Sequence, residues 1–232
     1  MQPFLIQSNN VIDNLIGGYP SKQVTTIYGN AATGKTTSCL LASIEAAKNS
    51  KVIFIDTELG FNVDRIRQLY DGNIEKIMQN IFLLQPKTFE EQYDLILKTK
   101  SLCKSEKIKL VVIDTIGSLY RKFVADNHVQ YNGMLLTQMK TLVHIARDMN
   151  KAVLMTNQVY AKMDAKDEIK MIGGAITEKI SKCIIEFHKI EDKRYATLKK
   201  LRTDYENTTH YNLGKKIVFE IKEKGLFPLE NK

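Results

Sequence analysis

The chain has 232 residues, 34 Lys and Arg against 26 Asp and Glu, a net charge of +8, three Cys, no Trp and 44% hydrophobic residues. A chain of that size and apolar content suits a single domain (1–232) that buries roughly 70% of the surface its unfolded chain exposes, without disulfides and without extensive disorder. Its apolar runs fall far short of the roughly 18 residues of a spanning helix, and residues 1–13 lack both the basic and the apolar part of a secretory signal, so a cytoplasmic location is expected.

Strand and helix signals alternate through the first two thirds of the chain. Residues 24–28 form a β-branched and aromatic run, followed by a glycine loop and a helix over 35–48. Residues 52–56 read as a second strand, 64–70 as a short helix and 81–84 as a third strand. Thr88 can cap a helix running to about residue 104, with Glu91 completing a capping box. Residues 110–114 are a continuous apolar strand, the type buried on both faces of a parallel sheet. The apolar stripe at 135, 139, 142, 143 and 146 predicts a helix over 134–149, and 152–155 is the fifth strand. This alternation predicts an α/β fold with a mostly parallel sheet and helices on both faces. After residue 175 the pattern changes to strands at 183–187, 195–201 and 216–221, expected to form an antiparallel β-meander at the edge of the sheet.

The charge is uneven. Residues 1–120 carry 13 basic and 12 acidic side chains, and residues 121–232 carry 21 and 14, densest over 189–202. A basic half attracts polyanions, or else is a solvated face; charge alone leaves both open. The three Cys are scattered, as expected of small buried side chains in a reducing compartment, and the four His show no metal-ligand spacing.

The string Gly29-Asn30-Ala31-Ala32-Thr33-Gly34-Lys35-Thr36 matches G-x-x-x-x-G-K-[ST] between a strand and a helix. Its glycines allow the backbone to wrap around phosphates, Lys35 can reach the β- and γ-phosphates of ATP, and the Thr36 hydroxyl can ligate Mg²⁺. Thr37 continues the nucleotide-binding segment. Asp114 ends an apolar strand in the Walker-B manner and would hold the magnesium with Thr36. Glu58 follows the second strand, where a carboxylate can orient and deprotonate an attacking water.

These motifs, in this order, resemble the RecA-type recombinases of the archaeal–eukaryotic branch over nearly the whole chain. Residues 11–18 (VIDNLIGG) are similar to that family's lead-in to the phosphate loop, and Ile55-Asp56-Thr57-Glu58 to its IDTE segment with the catalytic glutamate. Arg65 and Gln68 stand where the family contacts adenine. Residues 112–121 resemble the Walker-B string followed by Tyr-Arg, and Thr156-Asn157-Gln158-Val159 the TNQV whose Gln senses the γ-phosphate and relays it to DNA. Gly173 and Gly174 match the pair closing the second DNA loop. The resemblance implies a RecA-like P-loop core with ATP and Mg²⁺ as ligands and catalytic roles for Lys35, Glu58, Asp114 and Gln158. It also implies single-stranded, sequence-independent DNA contacts from Arg121 and Lys122 in a first loop ending near residue 133, and from Lys162, Lys166, Lys170, Gly173 and Gly174 in and beside a second loop over 160–172.

Within that branch the chain resembles the short archaeal RadB paralogs. Only 28 residues precede Gly29, so the N-terminal helix-hairpin-helix domain of the full recombinases is not expected, and no Phe is followed by Ala at the third position, as the polymerisation motif would require. The resemblance implies ATP and DNA binding, weak ATPase activity, no strand exchange, and assistance to the main recombinase RadA and the Holliday junction resolvase in repair. An ATP cap contributed across a subunit boundary would fall near residues 204–211. Phe123, Tyr131 and Tyr160 adjoin the loops, as packing residues or as stacking partners for bases. Two other readings stand beside this one: a KaiC-like signalling ATPase, disfavoured because Leu rather than a second Glu follows Glu58, and a non-enzymatic adaptor that binds ATP as a structural ligand.

Overall fold

The structure, a computed structural model, describes residues 2–124, 127–161, 169–202 and 213–229. A short ribbon of β1 (Leu5–Ile6) and β2 (Tyr19–Pro20) brackets α1 (Asn10–Ile16), which Asn9 caps by accepting from Ile12 N–H at 3.0 Å. Next come β3 (Val24–Gly29), α2 (Lys35–Ala47), β4 (Lys51–Asp56), α3 (Val63–Leu69), α4 (Ile74–Gln79), β5 (Ile81–Leu84), α5 (Phe89–Leu102) and β6 (Ile108–Asp114). They are followed by α6 (Ser118–Phe123), α7 (His128–Met149), β7 (Ala152–Asn157), the small hairpin β8 (Val159–Ala161) and β9 (Ile169–Met171), and α8 (Gly174–Ile180). Four strands end the described chain: β10 (Cys183–Ile190), β11 (Lys193–Leu201), β12 (Lys216–Lys222) and β13 (Gly225–Pro228).

Among the described residues the main sheet has nine strands, in the order β13-β12-β11-β10-β3-β7-β6-β4-β5. The six from β10 to β5 are parallel to their neighbours and the three beyond β10 are antiparallel, the expected mostly parallel α/β architecture with an antiparallel C-terminal edge. The parallel strands are apolar at consecutive positions because both faces are covered. Val52, Phe54, Leu110, Val112 and Leu154 point to the layer of α1 to α4, whereas Ile53, Ile55, Val111, Ile113 and Met155 point to the layer of α5 to α7.

The strands at 183, 195 and 216 form the expected antiparallel meander, whose first strand lies parallel to β3 through Cys183↔Thr25 to Phe187↔Gly29, and the meander also includes β13, which the sequence pattern missed. Two local expectations are corrected. Helix α7 starts six residues before 134, inside the segment expected to be the first DNA loop; its first turns, with Val129 85% exposed, carry no apolar stripe to announce them. Thr88 caps α5 by accepting from Glu91 N–H at 3.1 Å, but the Glu91 carboxylate accepts from Lys87 N–H rather than from Thr88, so the capping box is half formed. Cys39, Cys103 and Cys183 are buried free thiols.

Candidate functional site

In a parallel sheet the carboxyl ends of all strands share one edge, and ligands gather there. The register here brings Asp56 opposite Asp114, Tyr28 opposite Asn157 and Gly29 opposite Phe187, so the segments leaving β3, β4, β6 and β7 meet at one place. Between them lies a cleft of about 660 Å³ lined by Gly29, Asn30, Ala31, Ala32, Gly34, Lys35, Thr36, Thr37, Glu58, Arg65, Asp114, Arg121, Gln158, Val159 and Ile221.

Backbone geometry makes the loop between β3 and α2 a cradle. Gly29 has φ 152°, and a Cβ there would lie 1.8 Å from the Phe187 carbonyl oxygen; Gly34 has φ 102°. Only glycine tolerates both demands. The Lys35 ammonium is folded into the loop, donating to Gly29 O at 2.9 Å and Asn30 O at 2.7 Å, and burial holds its pKa below the usual lysine range. Thr33 Oγ1 donates to Asn30 O at 2.9 Å, closing the turn.

The acidic side of the cleft is layered. Asp114 is 3% exposed and joined to Thr115 by a cis peptide bond; burial pushes its carboxyl up, while hydrogen bonds from Thr156 and Thr36 pull it down. Thr156 Oγ1 donates to Asp114 Oδ1, and the Glu58 carboxylate accepts a hydrogen bond from Gln158 Nε2 across the mouth of the cleft. Glu58 is raised above the ordinary glutamate value mainly by burial and next by Asp114, with Lys35 and Lys122 acting in the opposite direction. The residues present fit a magnesium nucleotide: a hydroxyl and a carboxylate are hard oxygen donors of the kind Mg²⁺ takes beside phosphate oxygens, and the cleft against the glycine loop has room for phosphates. Among the described residues no group of three or more His, Cys, Asp or Glu is arranged to hold a metal ion by itself.

A sequence profile of the Rad51 family matches residues 5–221. The chain belongs to the Rad51 family. Proteins named DNA repair and recombination protein RadB are similar to it throughout: that of Methanococcus maripaludis strain C7 is 38% identical over 216 residues, 91% of this chain and 94% of that one. The RadB of Archaeoglobus fulgidus is 35% identical over 232 residues, 98% and 100% of the two chains. A solved structure described as the crystal structure of the RadB recombinase superposes with a TM-score of 0.80 at 28% identity, covering 95% of this chain and 97% of its own. The match separates this Rad51-family chain from the KaiC-like alternative.

The structure gathers Gly29 to Lys35, Thr36, Thr37, Glu58, Asp114 and Gln158 around this cleft. Arg65 lines it and fastens α3 to the β12–β13 turn, donating to Glu223 O at 3.0 Å and Lys222 O at 3.1 Å; Gln68 accepts from Arg65 at 2.8 Å and does not itself line the cleft. Arg121, read from the sequence as a DNA-loop residue, stands on the wall of the cleft at the last turn of α6, and Lys122 beside it acts electrostatically on Glu58. Gly173, φ 71°, caps α8 and Gly174 begins it. Lys170 lies on β9, while Lys162, Lys166 and the segment 204–211 fall outside the described residues. Phe123 and Tyr131 stack at 6.3 Å, and the Tyr131 hydroxyl donates to Glu90 at 2.8 Å, so these two rings pack with each other and with α5.

Sequence reading passed over Asp56. Fully buried, it accepts from the backbone N–H of Glu58 at 3.3 Å, Gly60 at 3.1 Å and Phe61 at 3.0 Å, and from Gln85 Nε2 at 3.2 Å. Asp56 therefore shapes the loop that carries Glu58. Its signal was the first acidic residue of the IDTE segment, at the end of an apolar strand. Thr57 is a second such residue, donating to Thr115 O at 2.8 Å and accepting from Thr115 N–H at 2.9 Å, which ties the β4 and β6 ends together.

Proposed function

We propose that this chain is a cytoplasmic, single-domain recombinase core that binds ATP and DNA and serves DNA repair and homologous recombination as an accessory factor, with weak ATPase activity and no strand exchange. Lys35 would neutralise the β- and γ-phosphates, Thr36 and Asp114 would hold Mg²⁺, and Arg65 and Gln68 would flank the adenine. Magnesium, when bound, would neutralise charge on the transferring phosphoryl group. Glu58 would orient the attacking water and accept its proton, a role that requires the carboxylate to be ionised and free to receive it.

The observation that carries the reading is the Gln158–Glu58 hydrogen bond at the mouth of a phosphate cradle. It supports weak hydrolysis, because the amide occupies a carboxylate oxygen that would otherwise face water. It supports a link to DNA, because Gln158 leads directly into the β8–β9 hairpin beside Gly173 and Gly174. Lys122, Lys162, Lys166 and Lys170, with Arg121 in reach of both regions, would contact DNA phosphates, with single strands preferred. The RadB relatives, DNA repair and recombination proteins by name, support a role in repair and recombination, and RadA and the Holliday junction resolvase are the partners that the RadB resemblance implies.

Filter binding of labelled single-stranded DNA, with and without ATP–Mg²⁺ and across salt, tests the reading. Each phosphate contact adds a slope of about −0.7 to log affinity against log salt, so the four lysines give about −3. A flat dependence would show that the basic half is only a solvated surface.

A further inference from the structure

Asn157 ends β7 and is completely buried, yet it binds across to a different segment. Its Nδ2 donates to the Ile172 carbonyl at 2.7 Å, and the Ile172 N–H donates to the Gln158 carbonyl at 3.1 Å. One peptide unit on each side of Ile172 is thus gripped by consecutive residues, 157 and 158, immediately before the Gly173–Gly174 turn. The amide orientation is fixed by this contact, since the reverse would set two oxygens against each other. Among the described residues Asn157 Oδ1 has no hydrogen-bond partner, although it is buried, and it faces Gly117, the N-cap of α6. A Cβ on Gly117 would lie 2.5 Å from that oxygen and 2.9 Å from Ile172 Cβ. Three segments therefore meet at Asn157: the β7 end that carries Gln158 toward Glu58, the turn leading into α8, and the start of the helix bearing Arg121 and Lys122.

We infer that Asn157 is a positioning residue that couples the nucleotide cleft to the polyanion-binding segments, its side chain tying the end of β7 to the Ile172 carbonyl beside the backbone bond from Ile172 to Gln158, with Gly117 as the space in which the tie fits. A shift of Gln158 on or off Glu58 moves a backbone that the Ile172 hydrogen bonds join to that turn. Packed contacts of this kind pass on small displacements rather than absorbing them. The inference rests on the proposed ATP and DNA binding and adds the residue that joins the two.

The experiment measures the dissociation constant of a fluorescent, non-hydrolysable ATP analogue with Mg²⁺, in the absence and presence of saturating oligo-dT. In the unaltered chain DNA is expected to change the constant about fivefold or more, the lower end of ordinary coupling. In Asn157→Ala each ligand still binds alone within about threefold of the unaltered protein, and the DNA effect falls below about twofold. Gly117→Ala, which leaves the Asn157 amide in place but crowds it off Ile172, reproduces the loss and serves if Asn157→Ala does not fold. Thr177→Val removes only the long 3.5 Å contact to the same Ile172 carbonyl and keeps the coupling. Full coupling in Asn157→Ala or Gly117→Ala, or none in an unaltered chain that binds both ligands, overturns the inference. An unaltered chain that binds neither ligand refutes the function on which it rests.

Discussion

Replacing Asp56 separates the shape of the catalytic loop from the phosphate cradle. Its carboxylate accepts three backbone N–H bonds from residues 58, 60 and 61 and one from Gln85. Hydrogen bonds to a charged group contribute about 1.5–3 kcal/mol each, and the loop is open enough for its freed N–H groups to reach water, so the lower end applies. Asp56→Ala loses three backbone bonds and should cost about 4.5 kcal/mol, a fall in Tm of about 9–18 °C for a chain of this size. In Asp56→Asn the Oδ1 bonds to Glu58 and Gly60 survive and the Gln85 amide can turn over, leaving one unmatched N–H at Phe61 and a cost of about 1 kcal/mol. Urea unfolding followed by circular dichroism measures both. ATP hydrolysis should fall in Asp56→Ala while analogue binding holds, because no bond of the phosphate loop is touched. Equal stability of both variants and the unaltered chain would refute the assignment of Asp56 as the organiser of the loop.

Glu58 should titrate above the ordinary glutamate value of 4.5, so kcat/KM rises with pH through that raised value as the base ionises. Lys122 pulls Glu58 down, so Lys122→Ala should move this acid limb to higher pH; an unmoved limb would disprove the electrostatic contact. Gly29→Ala must part β3 from β10, since its Cβ would meet the Phe187 carbonyl at 1.8 Å. It should destabilise the fold by more than about 3 kcal/mol, read as a lowered urea midpoint, and a midpoint like that of the unaltered chain would contradict the close approach.

The parallel sheet was legible because its strands are apolar on both faces, as at 110–113, and because βα alternation admits few topologies. The phosphate loop was legible because glycine and lysine at fixed spacing leave few substitutes. What was not legible depends on the fold bringing distant segments together. Asp56 looked like a spectator beside Glu58 until its three N–H partners were in place. Arg121 read as a DNA residue from its place after the Walker-B strand, and only the short turn of α6 shows that it lines the nucleotide cleft. The first turns of α7 carry only scattered apolar residues, with Val129 exposed, and β13 is four residues long, so neither carries a periodic signal.

The central claim is that the cradle from Gly29 to Thr36 binds ATP through Lys35. Titration of a fluorescent ATP analogue with Mg²⁺ into the unaltered chain and into Lys35→Ala, both checked as folded by circular dichroism, tests it most directly. The account predicts saturable binding by the unaltered chain and none by the variant over the same range. Undiminished binding by Lys35→Ala would contradict it.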